Sequence, residues 1–379
     1  MPSVSRRSHP TSTVGDFCRV METIAPTALA QGWDNVGLLA GDPDARATKA
    51  LLCIDLTRDV VDDAISKKAN VVMAYHPPIF KPISTLRADS SDTDAVVFRC
   101  IAHGIAIYST HTALDAADGG TNDVIAALCG IEATEPLEYV DRPGSRESKV
   151  ITFVTEKDVE AVASAMFAAG AGTIGDYTKC SFRTAGQGTF FGGATTNPTL
   201  GQRGRMEFVD EVRLEAVVPN AALPDAIAAL RHAHPYDEPA FDIVPLAPRP
   251  VRGIGRAGML PEATTLNQLA RRLKRKTHAT CIQTVGESDA EASRAVIVVG
   301  AAGSLPFQAG VGSGDVIITG EIRHHDALTI RRSGCSAIAL GHWASEHPTL
   351  AILAERLTKA LPGVTVSVSS ADADPFLAA

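Results

Sequence analysis

The sequence lacks three features, and each absence excludes a class of protein. It has no run of about 18 uncharged apolar residues, which a membrane-spanning helix would require. It has no surplus of basic residues, because the formal net charge is -8, whereas a nucleic-acid groove needs clustered Lys and Arg. Its seven cysteines are odd in number and form no Cys-x-x-Cys pair, which fits neither a zinc knuckle nor a disulfide framework. We therefore expect a soluble protein of a reducing, cytoplasmic compartment that binds neither membranes nor nucleic acid.

Acidic residues are also absent from the N-terminal stretch. No Asp or Glu precedes Asp16, whereas Arg6, Arg7 and several serines do. This composition is typical of a short organellar targeting tail, so a mitochondrial location is one interpretation. A frayed terminus is the other interpretation, and it is the one we favour from the sequence.

The chain is long enough for two domains, because 379 residues exceed the size at which one hydrophobic core usually stops growing. Six short runs of β-branched and apolar residues are each followed by a helix-like stretch, which is typical of buried parallel strands in an α/β fold. The runs fall into two blocks, one before about residue 140 and one after about residue 250. The predicted strands are Ala50–Leu56, Asn70–Tyr75, Ile105–Ser109, Ala295–Val299, Val316–Thr319 and Ala337–Leu340.

The segment between the two blocks has a different rhythm, roughly β-α-β-β-β-α-β, which resembles a ferredoxin-like α+β module. Its flanks are polar and rich in proline, as a domain boundary should be. We therefore predict a discontinuous α/β domain of residues 13–145 plus 250–379 and an inserted α+β domain of residues 149–248. The elements predicted in the insertion are strands Lys149–Thr155, Thr178–Arg183, Gly188–Gly192, Glu211–Val218 and Ala240–Leu246 with helices Lys157–Ala169 and Asn220–His232.

Histidines concentrate on both sides of this insertion. Seven of the eleven fall within residues 76–111 and 324–347. Ligands of open α/β sheets bind beyond the carboxyl ends of the strands, so loops from the same edge would converge on one cleft. The polar groups that follow predicted strands in this way are His76, His111, Asp115, Glu321, His324, His325, His342 and Glu346.

These residue types suit a divalent metal, because imidazole and carboxylate are ligands of zinc, iron, manganese and nickel where no thiolate is present. His342 and Glu346 are four residues apart, which places both on one face of a helix. A carboxylate such as Glu346 or Asp115 can bridge two ions about 3.5–4 Å apart, an arrangement that favours metal-assisted hydrolysis. Each histidine alone is more often a helix cap or a surface hydrogen-bond partner, but the convergent set favours a metal site.

Four ordered motifs and an N-terminal signature resemble the Nif-three-like family, often labelled GTP cyclohydrolase type 2 homologues. The resemblance covers nearly the whole chain. The signature is Trp33-Asp34-Asn35-Val36-Gly37-Leu38. The motifs are Tyr75-His76-Pro77-Pro78-Ile79-Phe80, His111-Thr112-Ala113-Leu114-Asp115, Gly320-Glu321-Ile322-Arg323-His324-His325-Asp326 and Gly341-His342-Trp343-Ala344-Ser345-Glu346.

The resemblance implies an α/β sandwich with a dinuclear metal centre, commonly assembled as a toroidal homohexamer. Matched motif to motif, the implied ligands of the two divalent ions are His76, Asp115, His342 and Glu346. The chain departs from the family pattern at one position, where many members carry a second histidine and this chain has Tyr75. We predict that His111, four residues before Asp115, compensates as a ligand.

The inserted segment is similar to that of longer family members, whose modules resemble small trimeric ion-tolerance and PII-like signalling proteins. Two stretches carry this likeness. They are Gly170-Ala171-Gly172-Thr173-Ile174-Gly175-Asp176-Tyr177 and His234-Pro235-Tyr236-Asp237-Glu238-Pro239-Ala240. The implied role of the module is in assembly or in gating a central cavity.

Two functions from different classes remain open at this stage. The first is a metal-dependent hydrolase of a nucleotide-like or phosphorylated small molecule, similar to GTP cyclohydrolase type 2, with His324 or His325 as proton shuttle. The second is a non-enzymatic metal-binding or regulatory oligomer. The coordination distinguishes them, since a catalytic centre keeps an open, water-filled position.

Overall fold

The computed structural model describes residues 12–90, 93–140, 146–247 and 251–377. Two compact units make up this part of the chain, one from residues before 142 and after 250 and the other from the residues between. No helix in the described ranges is long and apolar enough to cross a membrane. The basic N-terminal stretch with Arg6 and Arg7 lies outside the described residues.

The described strands of the first unit have 2 to 10 residues and those of the second have 6 to 14. Their bounds are β1 Gly37–Ala40, β2 Lys49–Cys53, β3 Val71–Ala74, β4 Ala106–Ser109, β5 Glu138–Tyr139, β6 Glu147–Val154, β7 Phe182–Phe191, β8 Met206–Pro219, β9 Phe241–Leu246, β10 Gly253–Ile254, β11 Arg256–Thr265, β12 Gln283–Val285, β13 Glu291–Val298, β14 Asp315–Thr319, β15 Ser336–Ala339 and β16 Thr365–Val368.

The helices alternate with these strands. Their bounds are α1 Val14–Ile24, α2 Arg58–Ser66, α3 Thr93–Ala102, α4 His111–Ala116, α5 Thr121–Cys129, α6 Val159–Ala168, α7 Leu223–Ala233, α8 Leu266–Thr277, α9 His324–Ser333, α10 His342–Glu346 and α11 Pro348–Ala360. The first described helix begins at a capping box, in which the Thr13 side chain accepts the Asp16 N–H and the Asp16 carboxylate accepts the Thr13 N–H.

The first unit contains two five-stranded sheets, ordered β1-β4-β3-β2-β16 and β11-β13-β14-β15-β12. Strands β2, β3 and β4 run parallel in one sheet, and β13, β14 and β15 run parallel in the other. These are the six strands that the apolar runs predict, so the α/β prediction is confirmed. Antiparallel strands β1, β11 and β12 flank the parallel ones, and β16 adds a further parallel strand beside β2.

The expectation of one common sheet edge was wrong. The polar loops after β3 and β4 belong to the first sheet, whereas those after β14 and β15 belong to the second. The chain crosses from the second sheet to the first between β15 and α11. Ile338 of β15 belongs to the core of the second sheet, whereas Leu350 and Leu353 of α11 belong to the core of the first. Helix α10, which carries His342 and Glu346, therefore lies between two cores.

The first sheet is covered by apolar side chains on both faces. Leu52 and Met73 belong to the core that includes α1 and α11, whereas Leu51 and Val72 belong to the core that includes α2 and α3. This alternation follows from the two-residue period of a strand. Full burial of one such side chain contributes roughly 1.5–3 kcal/mol, so the sheet is a rigid platform for the loops at its carboxyl edge.

The second unit follows the order β6-α6-β7-β8-α7-β9, and its antiparallel sheet has the order β7-β8-β6-β9. The prediction of three strands between the two helices was wrong, because Phe182–Phe191 forms one continuous strand. Gly186 and Gly188 both lie within this strand and pair with β8, opposite Glu211 and Val209. The predicted helices correspond to α6 and α7, which pack on this sheet through one apolar core.

Candidate metal centre

Three side chains converge at the carboxyl edges of the two sheets: His76, His342 and Glu346, called here the His-His-Glu trio. One ligand atom from each lies within 4.8 Å of the others. The His76 Nε2 is 3.4 Å from Glu346 Oε2, and the His342 Nε2 is 3.3 Å from Glu346 Oε1. The sequence placed all three at strand ends, and the fold brings them together from two different sheets.

The position of His76 follows from strand pairing. The ladder of β3 continues past its end, since the N–H groups of Tyr75 and His76 donate to the carbonyls of Cys53 and Ile54 at 2.9 and 3.0 Å. The His76 Nδ1 lies 2.9 Å from Asp55 Oδ1. A carboxylate only accepts, so Nδ1 carries the hydrogen. In the neutral imidazole Nε2 then keeps a free lone pair.

His342 is held in the same way by the second sheet. Gly341 adopts a φ of 91°, which glycine tolerates, and this turns the chain from β15 directly into α10. The His342 Nδ1 donates to Glu321 Oε1 at 2.8 Å, and Glu321 follows the neighbouring strand β14. One helical turn later, Glu346 is buried with 3% exposure. Both imidazoles of the trio therefore present Nε2 to one buried carboxylate.

These residues fit a divalent cation. Glu346 Oε2 is buried without a hydrogen-bond partner among the described residues, which is costly unless a ligand satisfies it. A Cβ at Gly300 would lie 2.5 Å from Glu346 Oε1 and 3.2 Å from His342 Nε2, so the glycine keeps space beside the trio open. An imidazole whose other nitrogen donates to a carboxylate is the usual form of a metal-binding histidine.

Without a cation, protons are drawn to the trio. Burial alone would lower the pKa of His76, but the carboxylates of Asp55 and Glu346 raise it to about 10. The carboxylate of Glu346 raises the pKa of His342 to about 9, against the effect of burial and with help from Glu321. Burial would raise the pKa of Glu346, but the two imidazoles lower it. A metal that binds here must displace imidazole protons.

Asp115, the fourth ligand implied by the resemblance, lies next to the trio with different partners. The Tyr75 hydroxyl donates to Asp115 Oδ1 at 2.5 Å, and the Thr121 hydroxyl donates to the same oxygen. Burial raises the pKa of Asp115 to about 6, although these two hydrogen bonds act in the opposite direction. Asp115 is therefore engaged with neutral donors on the side of Tyr75.

His111, the predicted compensating ligand, begins α4. Its Nδ1 lies 2.8 Å from Asp34 Oδ1, and the other Asp34 oxygen accepts the N–H of Thr112 at 3.1 Å. The backbone φ of His111 is 30°, an uncommon value for a residue with a side chain, and its N–H donates to the Tyr75 carbonyl. The ring centroid is 5.4 Å from that of His76. Asp34 of the N-terminal signature thus orients His111 beside the trio.

An aromatic row leads from this site toward solvent. Trp33 and Phe80 are 60% and 47% exposed, and their ring centroids are 6.0 Å apart. Trp33 also contacts His111, at 5.9 Å between centroids. Exposed large aromatic rings next to a polar cluster offer flat surfaces on which a planar ligand can stack.

His324 and His325, the predicted proton shuttles, are exposed at the start of α9. Their rings contact each other at 5.5 Å. Within the described residues neither forms a hydrogen bond to the trio, and Glu321 is the residue of this loop that reaches it. Their role in proton transfer stays a prediction.

Sequence reasoning missed two residues that organise the site. Asp55 directly follows the buried strand β2, so the rule that identified the other residues could have found it. Asp372 is buried, and its carboxylate accepts the N–H of Ile54 at 2.7 Å, that of Asp55 at 3.4 Å and the indole N–H of Trp343 at 3.3 Å. It ties the end of β2 to α10, and no local pattern marks it.

The chain resembles known proteins over nearly its full length. The family model described as Duf34/NIF3 (NGG1p interacting factor 3) matches residues 12–375. A relative from Mycobacterium bovis, named GTP cyclohydrolase 1 type 2 homolog, is 36% identical over 349 residues, which cover 91% of this chain and 91% of the relative. A relative of the same name from Halalkalibacterium halodurans is 33% identical over 366 residues, covering 94% of this chain and 96% of the relative.

The crystal structure of a Bacillus cereus protein related to NIF3 has a TM-score of 0.70 and 30% identity, covering 98% of this chain and 100% of the other. The resemblance read from the motifs is thus confirmed, and the chain belongs to the DUF34/NIF3 family.

Proposed function

We propose that this chain binds a divalent metal cation at His76, His342 and Glu346 and uses it to hydrolyse a small molecule. One observation carries the proposal: two imidazoles, each held at Nδ1 by a carboxylate, present Nε2 to the same buried and otherwise unsatisfied carboxylate. Such an arrangement costs free energy unless positive charge, from a metal ion or from protons on the imidazoles, neutralises the carboxylate. Zinc, iron, manganese and nickel all accept this set of ligands.

The chain's own residues determine how the reaction would proceed. A divalent cation, when bound, lowers the pKa of water and polarises the bond under attack. Asp55 and Glu321 hold the two imidazoles in one tautomer and orientation. Asp115, with a pKa near 6, can exchange a proton close to neutral pH at the carboxylate oxygen that Tyr75 does not occupy. His324 and His325 remain our proposed route for protons to solvent.

Two features support a nucleotide-like or phosphorylated substrate. The relatives from Mycobacterium bovis and Halalkalibacterium halodurans carry the name GTP cyclohydrolase 1 type 2 homolog. The exposed rings of Trp33 and Phe80 beside His111 suit a planar heterocycle.

The test measures metal content and turnover on the same samples. The full chain, His342→Ala and the control His103→Ala are purified without added metal and assayed with GTP and with phosphoesters. His103 is a matched control because it is exposed and its Nδ1 contacts the Arg99 carbonyl, away from the trio. We expect metal and hydrolysis in the parent and control and neither in His342→Ala. Metal without turnover on any substrate would favour the non-enzymatic metal-binding oligomer, and no metal in the parent would overturn the site.

A further inference from the structure

We propose that this centre holds one cation per chain rather than two, because two hydroxyl groups engage Oδ1 of Asp115 and no second set of three ligand atoms converges beside the trio among the described residues. The inference rests on the metal site proposed above, though not on any hydrolytic activity. It concerns the side of the site that faces β4 and α4. The His-His-Glu trio on the other side is unaffected.

A second cation would need ligands beyond Glu346, and the first candidate is Asp115. Its Oδ1 already accepts two hydroxyl hydrogens, from Tyr75 at 2.5 Å and from Thr121. A carboxylate oxygen that accepts two hydrogen bonds has both lone pairs engaged. Metal coordination through this oxygen would therefore require both hydroxyl groups to move.

Tyr75 has little freedom to move. It is 1% exposed and belongs to the apolar core of the first sheet, with Met73 and Leu114 in the same cluster. Its ring lies 5.0 Å from that of His76 and 5.7 Å from that of His111. Close packing in the core restricts the rotation of a buried phenol. The neutral hydroxyl donates a hydrogen where a cation would need a lone pair.

His111 does not replace the missing ligand in this arrangement. Its Nδ1 contacts the Asp34 carboxylate at 2.8 Å, and neither of its ring nitrogens belongs to a group of three ligand atoms within 4.8 Å of one another among the described residues. Among the described residues, His76, His342 and Glu346 are the group of three or more whose ligand atoms come within 4.8 Å of one another. Neither Asp115 nor His111 joins them.

The spacing within the trio suits one ion. Two atoms bound at about 2.1 Å to a tetrahedral cation are separated by about 3.4 Å. The imidazole-to-carboxylate distances in the trio are 3.3 Å to Oε1 and 3.4 Å to Oε2 of Glu346. Because one ligand atom of each residue lies within 4.8 Å of the others, the three can share a single cation with a position left for water or substrate.

Stoichiometry is the direct test, and it is independent of turnover. Metal-free full-length chain is titrated with Zn²⁺ by calorimetry, and the zinc retained after gel filtration is counted per chain. We expect one ion for the parent and one for Asp115→Asn. We also expect one for Tyr75→Phe, because it removes the hydroxyl from Asp115 but adds no ligand atom. Tyr75→His adds an imidazole and removes the hydroxyl from Asp115, so we expect it to bind two.

A second readout uses Mn²⁺ and electron paramagnetic resonance. An isolated Mn²⁺ gives a resolved hyperfine pattern, and a neighbouring Mn²⁺ broadens it. We expect the resolved pattern for the parent and the broadened one for Tyr75→His. Two ions in the parent, with one lost in Asp115→Asn, would overturn the inference even if Tyr75→His does not fold. No ion in the parent would overturn it together with the proposed site, whereas one ion without hydrolysis would contradict only the proposed reaction.

Discussion

The two halves of the proposed metal centre are built alike but are not equivalent. Each sheet places a histidine after one strand and a supporting carboxylate after the neighbouring strand: His76 with Asp55 in the first sheet and His342 with Glu321 in the second. The second half also supplies Glu346, which faces both imidazoles. Glu346 therefore makes the two halves interdependent, because both imidazoles face it. Asp55 and Glu321 each act on one half.

The largest effect should come from the shared carboxylate. Glu346→Gln keeps the side-chain shape but removes the charge that faces both imidazoles. We expect metal affinity to fall by more than about 100-fold, beyond the range typical of supporting residues. Calorimetric titration measures this, with Glu355→Gln at an exposed position of helix α11 as control. Unchanged affinity in Glu346→Gln would show that the halves bind separate ions.

The pH dependence should be nearly as large. Without metal the pKa values of His76 and His342 are raised to about 10 and about 9, so both rings are protonated near neutral pH. Metal binding then displaces two protons, and affinity should rise up to about 100-fold per pH unit below pH 9. For the metal-free chain the sign is opposite: the protonated imidazoles stabilise the fold below about pH 6.5, and that stabilisation is lost as pH rises through 9 to 10.

Proton release is measured by calorimetry in buffers of different ionisation enthalpy. We expect about two protons per metal at pH 7 and fewer above pH 9. A release of about one proton per metal would mean that only one of the two imidazoles is protonated, so the two halves would differ in their protonation. No release at pH 7 would contradict protonation of both rings.

The supporting carboxylates should have intermediate and separable effects. Asp55→Asn and Glu321→Gln each leave the imidazole in place but weaken the hydrogen bond at Nδ1, and we expect each to reduce metal affinity about 10- to 100-fold. Asp55 should matter more, because its side chain is 42% exposed against 52% for Glu321. Parallel titrations of both variants test the comparison, and a larger loss in Glu321→Gln would reverse it.

The smallest effect should come from Asp372, whose hydrogen bonds link the end of β2 to α10. Asp372→Asn keeps one acceptor oxygen of the two that bind the Ile54 N–H and the Trp343 indole. We expect a loss of about 1–2 kcal/mol in the free energy of unfolding and a drop of up to about tenfold in metal affinity. Urea unfolding measures the first and titration the second. Loss of stability with unchanged affinity would show that Asp372 supports the fold and not the centre.

The parallel strands of both sheets could be predicted from the sequence, whereas the flanking strands could not. Strand β3, for example, is a continuous run of buried apolar residues, which is the pattern of a parallel strand covered on both faces. Strand β16 instead alternates between exposed and partly buried residues over Thr365–Val368. Short edge strands of this kind acquire their identity from the neighbour they pair with, and that neighbour is distant in the chain.

The sequence by itself determined the chemistry at the strand ends. The positions of His76, His342 and Glu346 after buried runs, and the four-residue spacing on α10, are local features that follow from strand and helix periodicity. They were sufficient to indicate a metal site and the family. Hydrophobic burial determines where each strand ends, so the polar residue that follows it is placed by local pattern alone.

Which side chains form hydrogen bonds with one another depends on the tertiary structure. Tyr75 and Asp115 are 40 residues apart, and Asp372 lies 318 residues from Ile54. Such contacts depend on how two sheets and their crossover helix pack, since close packing admits one arrangement of side chains and no local rule encodes it. The hydrogen bond from the buried Tyr75 phenol to Asp115, on which our proposal of one bound ion partly rests, is therefore a property of the fold.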